Sequence, residues 1–208
     1  MCHMDYEALK QDLRRAYDAD AEARGAMDDA EWKPVERARF IDRLREAGAV
    51  RLLEIGAGHG VSGRRFADEG FEVTCVDLSP ELVALCCAKG LDARVMDFAD
   101  LDFPDGSFDA VWGMNCLLHV PRAALPGVLD EVRRVLAPGG LFYWGQYGGQ
   151  DHEGIWETDR YEPKRFFSFF TADRIQAIAA ERFDTVEVTL TALDSAIDQY
   201  QGLILKRR

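Results

Sequence analysis

Positive charge is what this sequence is shortest of. Its 25 Lys and Arg stand against 37 Asp and Glu, a formal net charge of −12 over 208 residues. A nucleic-acid partner must be met by clustered cations that neutralise phosphates. The basic runs here, Arg64-Arg65, Arg133-Arg134 and Lys206 with Arg207 and Arg208, are short and set among acids, so no nucleic-acid partner is expected. Long apolar runs are missing as well. No window approaches the roughly 20 residues of a membrane span, and the opening MCHMDYEALK is no signal peptide, so no membrane association is expected. The five cysteines, at 2, 75, 86, 87 and 116, contain no C-x-x-C pair and are odd in number, which excludes a simple disulfide framework. Cys75 and Cys116 lie in apolar runs, and buried thiols in a reducing cytoplasm are the expectation. Cys2 and His3 come nearest to a metal pair, but without further ligands a disordered start and no metal are expected there. With no internal repeat, low-complexity stretch or linker, residues 1–208 are expected to form a single domain, as a monomer or homodimer.

The order of elements points to a fold class. Residues 5–24 read as a polar helix with an Ala/Leu stripe. Pro34 then opens a second helix whose apolar face is Val35, Ala38, Phe40, Ile41 and Leu44, ended by Gly48. Beyond it, apolar runs VRLLEIG, FEVTCVD, ARVMD, FDAVWGM and GLFYWGQY alternate with helical patterns over 61–69, 80–89 and 122–136. Near-continuous apolar strands separated by helices predict a parallel sheet covered on both faces, a doubly wound, Rossmann-like α/β domain. After a helix near 172–182, FDTVEVTLTAL and YQGLILKRR follow without a helix between them, an antiparallel hairpin closing one sheet edge. The stretch 148–168 has no assigned element, and connections of that length are usually functional or disordered. Its aromatics argue against disorder.

At the end of the first strand stands RLLEIGAGHGVSGRRFADEG. Gly56, Gly58 and Gly60 follow Glu54 in an E-x-G-x-G-x-G arrangement, while Gly58, Gly60 and Gly63 spell G-x-G-x-x-G, the dinucleotide signature. Either way, glycines let backbone approach a ligand closely at a strand's carboxyl end, where this fold binds its ligands. Asp77, ending the second strand, suits the two hydroxyls of a ribose. Ser79 before Pro80 and Glu81 already reads as the cap of the next helix, which leaves Asp77 for a ligand. Asp97 beside Phe98, at the end of the third strand, suits an adenine amino group with an apolar neighbour for the ring. Glu54 suits an ammonium. Ammonium, ribose and adenine add up to S-adenosylmethionine rather than NAD, and Gly63 then becomes a small residue for helix packing.

The pieces LLEIGAGHG, VTCVDLSPELV, ARVMDFADLDFPDGSFDAVWGMNCLLHV and LDEVRRVLAPGGLFYW, covering about residues 50–145, resemble the class I S-adenosylmethionine-dependent methyltransferases, especially small bacterial ones of the ubiquinone-methylase-like group. The resemblance implies a seven-stranded sheet, mostly parallel with an antiparallel last strand, and residues 1–48 as a helical lid over a cofactor core at 49–147. Residues 148–170 would form an acceptor-side lid, and 171–208 the closing helix and hairpin. It implies that Glu54, Gly56, Ala57, Gly58 and Gly60 cradle the methionine part, and that Asp77 takes the ribose with Leu78 on the adenine. Asp97 and Phe98 would hold the adenine, Asn115 would contact the cofactor, and Tyr17 would stand near its carboxylate.

Methyl transfer from a sulfonium is an in-line displacement in which orientation can supply roughly 7 to 11 kcal/mol of the barrier. An oxygen acceptor also needs its proton removed. His119, following the fourth strand, is the first candidate base and His152 the second. His59, inside the loop, reads as a cofactor-side residue. Gln146, Tyr147, Trp156 and Tyr161 are the candidate acceptor contacts, whereas Phe166 and Phe167 read as packing. The leading expectation is a methyltransferase acting on a small molecule, O- slightly ahead of N-methylation, in specialised metabolism. The alternatives are methylation of a protein or peptide side chain, a catalytically inactive cofactor-binding partner subunit, and an NAD-dependent oxidoreductase.

Overall fold

Asp5 starts the first helix. Its carboxylate accepts the Glu7 amide at 3.0 Å, a side-chain cap on an otherwise orphan donor, and α1 runs Tyr6–Ala19. The computed structural model describes residues 5–27, 29–194, 197 and 199–208; Cys2 and His3 lie outside the described residues. One helix over 5–24 was the expectation, but α1 stops before Asp20 and a short α2, Ala21–Gly25, follows. Helix α3, Lys33–Ala47, carries Pro34 in its first turn and ends at Gly48 in the left-handed conformation, φ 65°.

The sheet then builds in the expected alternation: β1 (Arg51–Ile55), α4 (Val61–Asp68), β2 (Glu72–Asp77), α5 (Pro80–Ala88), β3 (Asp92–Val95), β4 (Phe108–Met114), α6 (Leu125–Val135) and β5 (Leu136–Gly148). Ser79 caps α5 by accepting the Leu82 amide at 3.1 Å. Two strands that the sequence did not suggest, β6 (His152–Ile155) and β7 (Phe166–Phe169), pair as a small antiparallel ribbon in the stretch 148–168. Helix α7 (Ala172–Ala180) leads to the hairpin of β8 (Phe183–Ala192) and β9 (Gln199–Arg207). The main sheet has seven strands in the order β3-β2-β1-β4-β5-β9-β8. The last strand, β9, is antiparallel to both its neighbours, β5 and β8, while the five strands β1 to β5 run parallel to one another.

Alternate residues of each strand go to opposite faces, and two cores result. On one face α6 and α7 cover Leu53, Ile55, Val111, Phe142, Leu203 and Leu205. On the other, Phe40 and Leu44 of α3 and Phe66 of α4 cover Leu52, Trp112, Tyr143 and Ile204. Trp112 and Tyr143, register partners on β4 and β5, stack with ring centroids 3.9 Å apart. Glu36 of α3 is buried and accepts from Tyr143 Oη at 2.8 Å, so its carboxylate is satisfied. With both faces covered, the carboxyl ends of β1, β2 and β4 are left to line one cavity of about 550 Å³ beneath α1 and α2.

Candidate active site

The cavity floor is the glycine loop. Gly56, Gly58 and Gly60 have φ of 61°, 57° and 78°, a region an L side chain enters at a cost of roughly 1–3 kcal/mol. At Gly56 there is a second reason: an added Cβ would lie 2.4 Å from Cys116 Cβ, because the loop after β1 presses against the turn after β4. Gly56→Ala is therefore expected to lower stability by about 2 kcal/mol or more, read as the urea midpoint. An unchanged midpoint would mean that the loop is looser than described. Gly63, in the first turn of α4, faces away from the cavity. A Cβ there would sit 2.7 Å from both Cys75 Sγ and Glu54 Oε2, so its small size lets α4 pack onto β1 and β2.

Three carboxyl groups stand at the strand ends, in different states. Asp77 is nine-tenths buried and accepts the Gly58 amide at 2.8 Å and the Ser79 amide at 2.9 Å. It thus shapes the glycine loop as well as facing the cavity; burial raises its pKa, partly offset by those two amides. Glu54 is buried with the Cys75 thiol 3.6 Å from Oε2. Burial pushes its carboxyl up to about 8, against the smaller lowering from Cys75 and the Gly63 amide. Asp97 is not in the cavity wall. Lys10 of α1 reaches across and places Nζ 2.6 Å from its Oδ2, and the Ala99 amide takes Oδ1 at 2.8 Å.

At the other end, an aromatic wall of Tyr147, Trp156, Phe167 and Phe169, with Leu118, encloses the remaining space. His119 stands between the ends, buried. Its Nδ1 is 2.8 Å from the Phe166 carbonyl, which can only accept, so Nδ1 carries the proton and Nε2 accepts from Tyr17 Oη at 2.9 Å. Burial, then the Arg165 charge, drive the His119 pKa down to about 3. Tyr17 Oη in turn accepts from Arg165 Nη1 at 3.0 Å. Arg165 clasps Asp159 through Nε and Nη2 at 2.7 and 2.8 Å and lies 3.7 Å over the Tyr161 ring.

Tyr17, Glu54, Gly56, Ala57, Gly58, Asp77, Leu78, Phe98, Asn115, His119, Tyr147 and Trp156 all line this cavity. Five residues expected in it are placed elsewhere. Gly60 turns its Cα toward Cys86 and Leu91, and Asp97 is covered by Lys10. Gln146 is fully buried between Trp144 Nε1, which donates to it at 2.8 Å, and the Ser168 carbonyl. Tyr161 sits behind Arg165 and accepts from Arg24 Nη1 at 2.9 Å. His152 packs behind Trp156, ring centroids 5.2 Å apart. Conversely, the sequence reading passed over Arg24 and Arg165, both in the cavity wall. Neither could be placed from spacing: Arg24 lies on α2, beyond the break that ends α1 after Tyr17, and Arg165 is brought in only by the β6–β7 ribbon. Phe166 and Phe167 are buried as packing residues, though Phe167 also reaches the cavity. Among the described residues no cluster of three or more His, Cys, Asp or Glu is placed to hold a metal, and no helix is long and apolar enough to cross a membrane.

A family model described as a methyltransferase domain matches residues 52–140, from β1 into β5. The chain carries a class I S-adenosylmethionine-dependent methyltransferase domain. The NAD-dependent oxidoreductase reading falls with that membership. Among curated relatives, the methyltransferase region is similar to the ubiquinone biosynthesis O-methyltransferase of Xanthomonas oryzae pv. oryzae, 40% identical over 117 residues, 53% of this chain and 48% of that protein. It is also similar to the 2-methyl-6-phytyl-1,4-hydroquinone methyltransferase of Synechocystis, 34% identical over 174 residues, 74% of this chain and 54% of that one. The chain thus spans about half the length of the curated relatives it matches. Among solved structures it superposes on the Burkholderia thailandensis 1,6-didemethyltoxoflavin-N1-methyltransferase with a TM-score of 0.76 and 22% identity, covering 97% of this chain and 88% of that one. That likeness places the methyltransferase fold over nearly the whole chain, including the N-terminal helices and the closing hairpin.

Proposed function

We propose that the protein transfers a methyl group from S-adenosylmethionine to a small, planar, largely apolar acceptor, at a hydroxyl oxygen that gives up its proton to water, with S-adenosylhomocysteine as the other product. The observation that carries this reading is the division of one cavity: a glycine loop with Asp77 and Glu54 at one end, an aromatic wall at the other. The donor end fits a polar ligand. His59 Nε2, Asn115 Oδ1 and Arg24 Nε are buried there without a hydrogen-bond partner among the described residues, and buried polar groups normally have one. When bound, the sulfonium supplies a methyl group already activated for displacement. Asp77 would accept the ribose hydroxyls, Leu78 and Phe98 would flank the adenine, and Glu54 would face the ammonium. One relative, 40% identical over 117 residues, is named an O-methyltransferase, which favours oxygen; the N-methyltransferase likeness is one of fold. A cavity roofed by Leu13, Tyr17 and Arg24 favours a free small molecule over a side chain presented by a protein surface.

His119 is assigned a positioning role in place of the base first expected of it. Its lone pair already holds Tyr17, and a site with a pKa near 3 takes a proton poorly at neutral pH. His119→Ala is expected to take the acceptor from the Tyr17 hydroxyl proton and the donor from the Phe166 carbonyl, at a cost of about 2 kcal/mol in stability, and to lower cofactor affinity and turnover together. Loss of turnover alone, with a kinetic limb near pH 6.5 in the wild type, would restore the base. The activity itself is tested by product formation from S-adenosylmethionine with a panel of hydroxylated one- and two-ring quinols. Methylated oxygen is the expected product. Turnover only on peptides, or none on any quinol, would overturn the acceptor class.

A further inference from the structure

Donor and acceptor ends of the cavity have separate walls, yet one helix is fastened to both. On the nucleoside side, Lys10 of α1 pairs with Asp97 at 2.6 Å. Ser79, whose amide holds Asp77, donates through Oγ to Asp18. The very next residue back, Tyr17, faces the other way and joins His119 and Arg165. Arg165 immediately precedes β7, and the Phe166 carbonyl, first in that strand, is the partner of His119 Nδ1. From Asp77 to the aromatic wall the contacts are continuous: Asp77, Ser79, Asp18, Tyr17, Arg165 and then β7.

We infer that Arg165 is a positioning residue that transmits occupancy of the donor end to the acceptor wall, through the oxygen of Tyr17. The statement rests on the donor reading above. Leu13, Arg14, Tyr17 and Arg24 line the cavity from α1 and α2; on this inference α1 lifts to admit the nucleoside and closes over it. Only the closed arrangement lets Tyr17 Oη satisfy both Arg165 and His119. Arg165 is otherwise committed to the acceptor segment, by two bonds to Asp159 and by the face of Tyr161. It therefore stays with the β6–β7 ribbon when α1 lifts, and closing α1 re-engages that ribbon. A ligand that favours the closed helix must then order the ribbon, and by reciprocity an acceptor on the ribbon must tighten the donor. The acceptor wall would be complete only once the donor is in place, which keeps the reactive sulfonium from meeting a half-built pocket.

Hydrogen exchange on the full chain tests this without knowledge of the acceptor, using S-adenosylhomocysteine as the probe. In the wild type the probe is expected to slow exchange in α1 and also in the amides of β6 and β7, the latter by about fivefold or more, the low end of ordinary coupling between sites. In Arg165→Met, protection is expected to stop at α1. Tyr17→Phe removes one oxygen and keeps the ring, so it breaks the same chain at a cost in stability, and the same loss at β6 and β7 is expected. Protection of the ribbon that persists in both variants would overturn the inference, since the probe would then be acting on the wall directly. So would protection of α1 in the wild type with the ribbon unchanged. Absence of any protection of α1 would overturn the donor reading first and this inference with it.

Discussion

Asp77→Ala is expected to weaken S-adenosylhomocysteine binding by about two orders of magnitude. Hydrogen bonds to a charged group are worth roughly 1.5–3 kcal/mol each, and about 2.7 kcal/mol is a hundredfold in affinity. The substitution acts twice. It deletes the acceptor proposed for the ribose hydroxyls, and it frees the Gly58 and Ser79 amides that the carboxylate now holds at 2.8 and 2.9 Å. A loop that has lost those bonds must be ordered by the ligand, which further lowers affinity. Asp77→Asn keeps the shape and one acceptor oxygen, so an intermediate loss is expected. Calorimetric titration of the three proteins reads the series directly. A change below about threefold for the alanine variant would remove Asp77 from the ligand site and leave it a loop-shaping residue.

The second large effect belongs to Glu54. Burial lifts its carboxyl from an ordinary value of 4.5 to about 8, so between those two pH values the folded protein holds a proton that the unfolded chain releases. The folded state then binds more protons than the unfolded one, and stability falls as pH rises across the window, levelling off above about 8. Across that window the loss is on the order of 5 kcal/mol. Glu54→Gln should abolish that slope. Other groups also titrate, His119 among them, whose depressed pKa takes stability away as pH falls from 6.5 toward 3. They titrate in both proteins, so the difference between the two stability curves isolates Glu54. Urea unfolding at steps from pH 5 to pH 8 makes the measurement, and parallel curves would contradict a neutral Glu54. The same neutral carboxyl has a consequence for binding. An ammonium placed beside it favours its ionised form, so uptake of S-adenosylhomocysteine below pH 8 should release a proton, visible as a dependence of the binding heat on the buffer.

The legible parts of the molecule were those written in consecutive residues. Each of β1, β2 and β4 is a short apolar run with a turn or cap at its end, and the structure starts and stops them within a residue or two of the sequence reading. The antiparallel last strand followed from two strand patterns with no helix between them. The glycine loop and Asp77 meet in one cavity because the fold aligns the carboxyl ends of adjacent parallel strands. What sequence could not show depends on residues far apart. Lys10 lies 87 positions from the Asp97 it covers, and Arg165 lies 148 positions from Tyr17. The break between α1 and α2 has no proline or glycine to mark it. The β6–β7 ribbon escaped because each strand is four residues long, and HEGI carries a charge and a glycine that disfavour a strand locally. His119 shows the same limit at the level of chemistry. Its place after β4 suggested a base, but the carbonyl and the phenol that commit both its nitrogens come from β7 and α1.

The central claim is that the glycine loop and its acids hold a nucleoside joined to an amino acid, and not a dinucleotide. Titration calorimetry of the intact chain with S-adenosylhomocysteine, and separately with NADH, tests it most directly. Saturable binding of S-adenosylhomocysteine at one per chain, with no heat from NADH, is the predicted result. Binding of NADH with none of S-adenosylhomocysteine would contradict it.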